Sequence, residues 1–334
     1  MTVKSPTEPN PLINWKEYNA SLRQRGRVDL LLEIENMPLQ TGQVGRPCLY
    51  SDAWVEAILL LGLTFRLPLR QLCGFMESVV AMSGLDLPVP SPATLCERRQ
   101  SMSGVRVKNW QRQAVRLAKA VDSGSGAVVV LDSTGLSIRG AGAWLATRPW
   151  SKGERARRTF TKLHIAIDPR TRQILAYLPT TAKVGDATAV APLLDAVTAD
   201  GTQVKTIVAD GAYDTGTVYK NLAEHGVNEA RIPPKEGARK WKESKPGAHL
   251  RNDNLTKGTR HRDFVPGGKA WKKHVRYGVR SLVETTFSRL HALCGNRLRS
   301  RSEAGRLGEI DLLMQLLNKQ ASSGLPMRTC QVFP

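Results

Sequence analysis

The stretch GAVVVLDSTGLSI, residues 126–138, opens on a glycine, runs through β-branched and apolar residues, and carries one aspartate, Asp132, at its middle. Such runs, bounded by turn residues, form buried strands. A carboxylate inside one is costly unless something pairs with it. Asp132 is therefore either the partner of a buried arginine or a group kept for its charge.

Working outward toward the C-terminus, TKLHIAI (161–167) and QILAYLP (173–179) flank the turn DPRTR (168–172), which predicts a hairpin. DATAVAPLLDAVTAD (186–200) has a helical pattern with Asp186 as its expected cap. VKTIVAD (204–210) reads as a strand, TGTVYKNLAEHG (215–226) as a helix and NEARIPP (228–234) as a short strand. Three strands, helix, strand, helix, strand is the order of an α/β sheet with an antiparallel hairpin on one side and crossover helices on the other. Within it, Asp168 reads as a turn residue and His164 as a satisfied sheet residue.

Working outward toward the N-terminus, the chain turns helical. WKEYNASLRQRGRVDLLLEI (15–34) sets Leu22, Leu30, Leu31 and Ile34 at loose helical spacing among three arginines. Ser51 and Asp52 start AWVEAILLLGLTF (53–65), RQLCGFMESVVAM (70–82) follows Pro68, and Ser91-Pro92 starts PATLCERRQSM (92–102). These three helices form either a plain bundle or a helix-turn-helix whose third member presents Arg98 and Arg99 to a DNA groove.

The pattern breaks over residues 235–276, where Lys240, Lys242 and Lys245 belong to a long run of cations with Trp241 and Trp271 interleaved. Such a stretch reads as an insertion lying on nucleic acid, or as a solvated basic loop. The basic aromatic loop AWLATRPWSKGERARRTF (143–160) adds to it. The texture thus divides the chain into a helical DNA-binding region (1–122), an α/β domain (123–318) interrupted by the basic segment (235–276), and a tail (319–334).

Forty-nine Lys and Arg against 29 Asp and Glu leave a net charge of +20. That field attracts polyanions, nucleic acid first among them, with a ribosomal or membrane-surface protein as the alternative. Five cysteines without a C-x-x-C pair support neither a zinc site nor a disulfide framework. They fit a reducing, cytoplasmic setting. The longest apolar run, VEAILLLGLTF, is too short to span a bilayer, so no membrane partner is expected.

Three acids stand out. Asp132 interrupts its strand, and Asp210 ends the strand TIVAD before a glycine, either where open sheets place ligands or as the cap of the helical turn that follows. Glu284 lies in RYGVRSLVETTFSRLHALCG (276–295). With Tyr277 at zero, a turn of 100° per residue sets Arg280 near about 300°, Glu284 near about 340° and His291 near about 320°. That stripe is either functional or an exposed face with an Arg280–Glu284 pair.

LDSTG, VADGAYD and the Y-x2-R-x3-E spacing together resemble the DDE-type transposases of bacterial insertion sequences, in the branch with a Y-R-E-K signature. The resemblance runs from GRPCLYSDAWVEAILLL (45–61) through the last helix. It implies an RNase H-like catalytic domain in which Asp132, Asp210 and Glu284 bind two Mg2+ ions, with Mn2+ able to substitute. It implies cleavage at the terminal inverted repeats of an element and joining of the 3′ ends to target DNA, by at least a dimer. It gives Tyr277 and Arg280 the signature positions, orienting DNA and the Glu284 carboxylate. His291 stands where the signature has lysine, and a histidine donates to phosphate with only part of a charge near neutral pH.

Other readings share some of these features. A nuclease of the same fold uses the same two-metal chemistry without joining. A repressor or inactivated relative needs only the charge and the helical region. A tyrosine or serine recombinase, with Tyr277 or Tyr213 proposed as nucleophile, lacks the matching Arg/His cluster.

Overall fold

The computed structural model describes residues 15–27, 49–101, 111, 114–115, 126–138, 160–257 and 265–322. The loop 143–159, the apolar positions Leu30, Leu31 and Ile34, the cations Arg260 and Arg262, and the tail after residue 322 lie outside them.

Helix α1 (Trp15–Arg25) is followed by α2 (Asp52–Thr64), α3 (Leu69–Ser83) and α4 (Pro92–Ser101). The expected start signals operate. The Ser51 side chain accepts from the Trp54 amide at 3.1 Å, and Ser91 accepts from the Thr94 amide at 3.2 Å. Helix α3 ends on Gly84 at φ 65°, the left-handed conformation that glycine adopts without strain.

The sheet is built from β1 (Ala127–Ile138), β2 (Phe160–Ile167), β3 (Ile174–Thr181), β4 (Val204–Val208), β5 (Glu229–Arg231) and β6 (Arg297–Leu298). Its order is β3-β2-β1-β4-β5, with β6 paired to the far end of β1. The β1–β2 and β2–β3 pairs are antiparallel, and β1–β4, β4–β5 and β1–β6 are parallel. This is a mixed α/β sheet flanked by helices, consistent with the RNase H-like core that the resemblance implies.

Between the strands run α5 (Asp186–Thr198) and α6 (Gly216–Glu224), and after β5 come α7 (Ala248–Thr256) and α8 (Lys269–His274). A 3-10 turn (Tyr277–Arg280) then leads into α9 (Ser281–Cys294), and α10 (Glu303–Ser322) closes the described chain. The side-chain period of two in a strand sorts the core. Val129 and Leu131 of β1 join Ala189, Leu193, Val218 and Leu222 of α5 and α6 on one face. Val130 and Leu136 join Val283, Phe287 and Leu290 of α9 and Ile310 and Leu313 of α10 on the other. Leu312 and Leu316, on the far side of α10, pack into the cluster formed by α2, α3 and α4. The helical layer is thus stacked on the sheet through α10.

Two local readings need correction. Asp186 does not cap α5: Gly185 holds the cap position without a side-chain hydrogen bond. The Asp186 carboxylate turns instead to Lys162 Nζ at 3.0 Å and to Nδ1 of the fully buried His164 at 3.3 Å. The segment 276–295 is not one helix either, because Tyr277–Arg280 forms a 3-10 turn and the α-helix begins at Ser281.

A half-buried acid sits where β3 meets α10. The Tyr177 hydroxyl donates to Asp311, whose carboxyl is pushed up to about 7 by burial. Between about pH 4 and 7 the folded chain keeps a proton that the unfolded chain releases, so stability falls as pH rises through that window. Asp311→Asn is expected to raise stability at pH 8 by on the order of 2 kcal/mol. Thermal melts should show the gap over wild type closing as pH approaches 4. A gap independent of pH would remove Asp311 as its cause.

Candidate active site

The register of β1 and β4 brings the first two acids together. Val130 pairs with Val208 on the neighbouring parallel strand. Asp132 and Asp210 each lie two residues further on, so both reach the same end of the sheet. Val130 and Val208 both face α9, and an offset of two keeps Asp132 on that face.

Helix α9 supplies the third acid. Val283, Phe287 and Leu290 bury its apolar stripe against the sheet, which leaves Glu284 in the exposed first turn. Arg280 joins the elements: its Nη2 donates to Asp132 Oδ2 at 3.0 Å and its Nη1 to Glu284 Oε1 at 2.5 Å. The Ser133 amide donates to Asp132 Oδ1 at 2.8 Å, and the Ala212 amide donates to Asp210 Oδ1 at 2.9 Å.

Electrostatics record the same convergence. Burial pushes the Asp132 carboxyl above its ordinary range, and the charges of Asp210 and Glu284 push it further. The Ser133 amide and the Arg280 guanidinium pull the other way. Three acids and one arginine leave this end of the sheet with an excess of negative charge within a strongly basic chain.

Hard carboxylate oxygens of this kind suit divalent ions of the magnesium type. As the side chains stand, no group of three or more His, Cys, Asp or Glu among the described residues is placed to hold an ion. The Arg280 guanidinium bridges Asp132 and Glu284 and offsets part of their charge. The oxygen donors of the three carboxylates are of the kind such an ion prefers.

Tyr277, Arg280 and His291 gather at the same place. The Tyr277 hydroxyl donates to the Ala209 carbonyl at 3.1 Å. His291 Nε2 shares a hydrogen bond of 3.1 Å with Thr134 Oγ1, while its buried Nδ1 has no protein partner. Thr134 was missed in the sequence, yet it stands two residues after Asp132 and so had to share its face.

The remaining expected DNA contacts lie elsewhere. Lys240, Lys242 and Lys245 are exposed in the segment leading to α7. The two tryptophans there serve packing. Trp271 is fully buried, and Trp241 is covered by Lys245 Nζ, 3.7 Å from its centroid, and by Arg251 Cζ at 4.4 Å. Arg98 forms an ion pair with Asp52, and Arg99 is partly buried where α4 meets α10. Any side chain at Gly308 would meet the Arg99 carbonyl, so these two helices approach backbone to backbone.

A feature the sequence did not disclose is the buried pair beneath the Asp210 loop. Arg251 Nε and Nη2 donate to the Asp214 carboxylate at 2.8 and 3.1 Å, and both residues are 5% exposed. The second acid of VADGAYD was the available signal, but nothing nearby in sequence named its partner.

Residues 123–318 match a family described as Transposase DDE domain, and residues 23–141 match a second family of the same description. Among solved structures, the chain is similar at 14% identity to the Mos1 transposase paired-end complex with left transposon end, over 86% of this chain and 83% of that one, with a TM-score of 0.22. It is similar at 13% identity to a pre-cleavage Mos1 transpososome, over 95% of this chain and 98% of that one, again with a TM-score of 0.22.

Proposed function

The chain belongs to the transposase DDE domain family, and from that membership we propose that it is an insertion-sequence transposase of the Y-R-E-K branch. Asp132, Asp210 and Glu284 are its catalytic acids. The observation that carries the reading is their convergence from β1, the end of β4 and α9 onto one end of the sheet, with Arg280 bridging two of them. The spacing of Tyr277, Arg280 and Glu284 supports the branch, with His291 in place of its lysine.

Each residue then has a task. Asp132, buried and held by the Ser133 amide, is the fixed acid of the site. Glu284 stands exposed on the first turn of α9, free to change rotamer when Arg280 releases it. Two Mg2+ ions, or Mn2+ in their place, held by the three acids would supply positive charge to the attacking and leaving oxygens of a phosphodiester. Water attacks phosphorus first and frees a 3′-hydroxyl; that hydroxyl then attacks a target phosphodiester, and the number of phosphodiester bonds is conserved in the joining step. Two ends must be cut together, so the working species on double-stranded DNA is at least a dimer.

The exposed Lys240, Lys242 and Lys245 hold phosphates of the element's inverted repeats or of the target. Neutralising all three is expected to weaken DNA binding and reduce the slope of log K against log salt by up to about 3. An unchanged slope in a salt titration would remove this segment from the DNA interface.

The test of the whole proposal incubates purified protein with Mg2+, a DNA bearing the element's flanking ends, and a supercoiled target. End cleavage with joined product supports a transposase. Cleavage without joining would replace it with a nuclease, and binding without chemistry with a repressor.

A further inference from the structure

A cavity of about 480 Å³ opens where the helical layer meets the last turn of α9, at the opposite end of that helix from Glu284. Its floor is apolar, formed by Leu59 and Leu63 of α2, Leu72 of α3 and Leu312 of α10. Four arginines stand around that floor, each from a different part of the chain. Arg66 lies in the α2–α3 turn, Arg70 in the first turn of α3, Arg99 on α4 and Arg299 in the loop before α10. An apolar floor with a few convergent polar groups is the common form of a ligand site, and such sites run from about 300 to 1,000 Å³.

The charge of these arginines is not compensated from within. One acid, Glu309, reaches the lining, and its carboxylate is occupied elsewhere. It accepts from the Arg299 and Ser300 amides at 2.9 and 2.8 Å and from Ser300 Oγ at 2.6 Å. Arg66 donates to the Ala292 carbonyl and, at 3.2 Å, to the Leu293 carbonyl. Arg99 Nε is buried without a hydrogen-bond partner. Among the described residues none of the four forms an ion pair, whereas the neighbouring Arg98 takes Asp52. Pro68, also in the lining, holds the cap position of α3 and offers no side-chain oxygen to its first amides. An uncapped helix start adds its own partial positive charge.

Charge and shape together select the anion. An internal phosphodiester of DNA carries one charge and continues on both sides, so it lies along a surface. A terminal phosphate carries about −1.5 to −2 near pH 7 and continues on one side only, so it can enter a cavity ahead of its nucleoside. Guanidinium groups grip such a phosphate through paired N–H bonds. Cleavage that frees a 3′-hydroxyl leaves the phosphate on the 5′ side of the break, so a 5′-phosphate is the terminal group that a cut strand presents. We propose that this cavity binds the 5′-phosphorylated end of a DNA strand, with the phosphate on Arg70, Arg99 and Arg299 and the first nucleoside on the leucine floor. This rests on the proposed function only in taking DNA as substrate and in the polarity of its cleavage.

The test uses the full chain in EDTA and two short single-stranded oligonucleotides, one with a 5′-phosphate and one with a 5′-hydroxyl, both labelled at the 3′ end. Anisotropy titrations of wild type are expected to show the phosphorylated strand bound about tenfold more tightly, the effect of one charge-assisted contact. Inorganic phosphate should erase that preference where chloride at equal ionic strength does not. Arg70→Gln with Arg299→Gln should bring the two strands within about twofold of each other. Neither side chain makes a hydrogen bond or ion pair among the described residues, so the fold does not depend on them. Lys240→Gln with Lys242→Gln removes the same charge from another surface, and should weaken both strands alike while keeping the preference near about tenfold. Equal binding of the two strands by wild type, or a preference that survives the arginine variant, would overturn the inference and leave the proposed function standing. A preference lost in the lysine variant as well would assign it to overall charge and overturn the inference too. Failure of both strands and of duplex ends to bind at all would remove the proposed function along with it.

Discussion

Asp132→Asn is expected to abolish strand cleavage while leaving a folded chain that still binds DNA ends. The substitution changes one atom and a charge. Asparagine keeps an oxygen where the Ser133 amide donates, so the strand has no reason to shift. It removes the carboxylate that feels the charges of Asp210 and Glu284, the most buried of the three acids proposed to hold metal. Two-metal chemistry draws several kcal/mol from charge placed on the reacting oxygens, and each ~1.4 kcal/mol is tenfold in rate. A loss of about 1000-fold or more in single-turnover cleavage follows. Asp210→Asn and Glu284→Gln should do the same.

Stability should move in the opposite sense. Burial raises the pKa of Asp132, so its ionised form is disfavoured in the folded state, and asparagine escapes that cost above the ordinary carboxylate pKa. The melting temperature at pH 8 is expected to hold or rise. Robust cleavage by any one of the three variants would sink the assignment, and a collapse in melting temperature would mean that Asp132 is a structural partner of Arg280.

The largest loss of stability is expected at Asp214. Its carboxylate accepts two bonds from Arg251 and one from the Lys235 amide at 3.0 Å. Arg251 in turn donates to the Arg239 carbonyl at 2.9 Å. The pair therefore ties the loop after Asp210 to α7 and to the start of the basic segment. Asp214→Ala strands a buried guanidinium, which costs about 3–5 kcal/mol. Urea unfolding would report this as a large drop in midpoint. Asp214→Ala with Arg251→Met should recover much of the loss, because removing both charges of a buried pair is often close to neutral. A loss under about 1 kcal/mol in the single variant would show that the pair behaves like a surface ion pair.

The core of the sheet was legible because its signals are local. β1, the β2–β3 hairpin, α5, β4 and α6 each announce themselves by period and by bounding turn residues. The helices α2, α3 and α4 did so through their caps. What misled was also local: Asp186 stands at a helix start, where an acid is a reasonable cap, yet Lys162 and His164 on the neighbouring strand attract it more strongly. Trp241 and Trp271 sit among cations in the chain, but folding turns both into packing groups. Arg98 and Arg99 are exposed in a helix taken alone and are engaged once Asp52 and α10 are beside them.

The succession of strands and helices along the chain, the three candidate acids and the strong positive charge were therefore properties of the sequence itself, since periodicity, a charge in an apolar run and net composition need no knowledge of distant partners. The tertiary structure alone decided which groups those acids meet. The pairing of Val130 with Val208 sets Asp132 beside Asp210, Arg280 bridges to Asp132 across 148 residues, and Tyr277 finds the Ala209 carbonyl. Hydrogen bonds and ion pairs act over a few ångströms of space, and separation along the chain says nothing about that distance until the sheet has set its register.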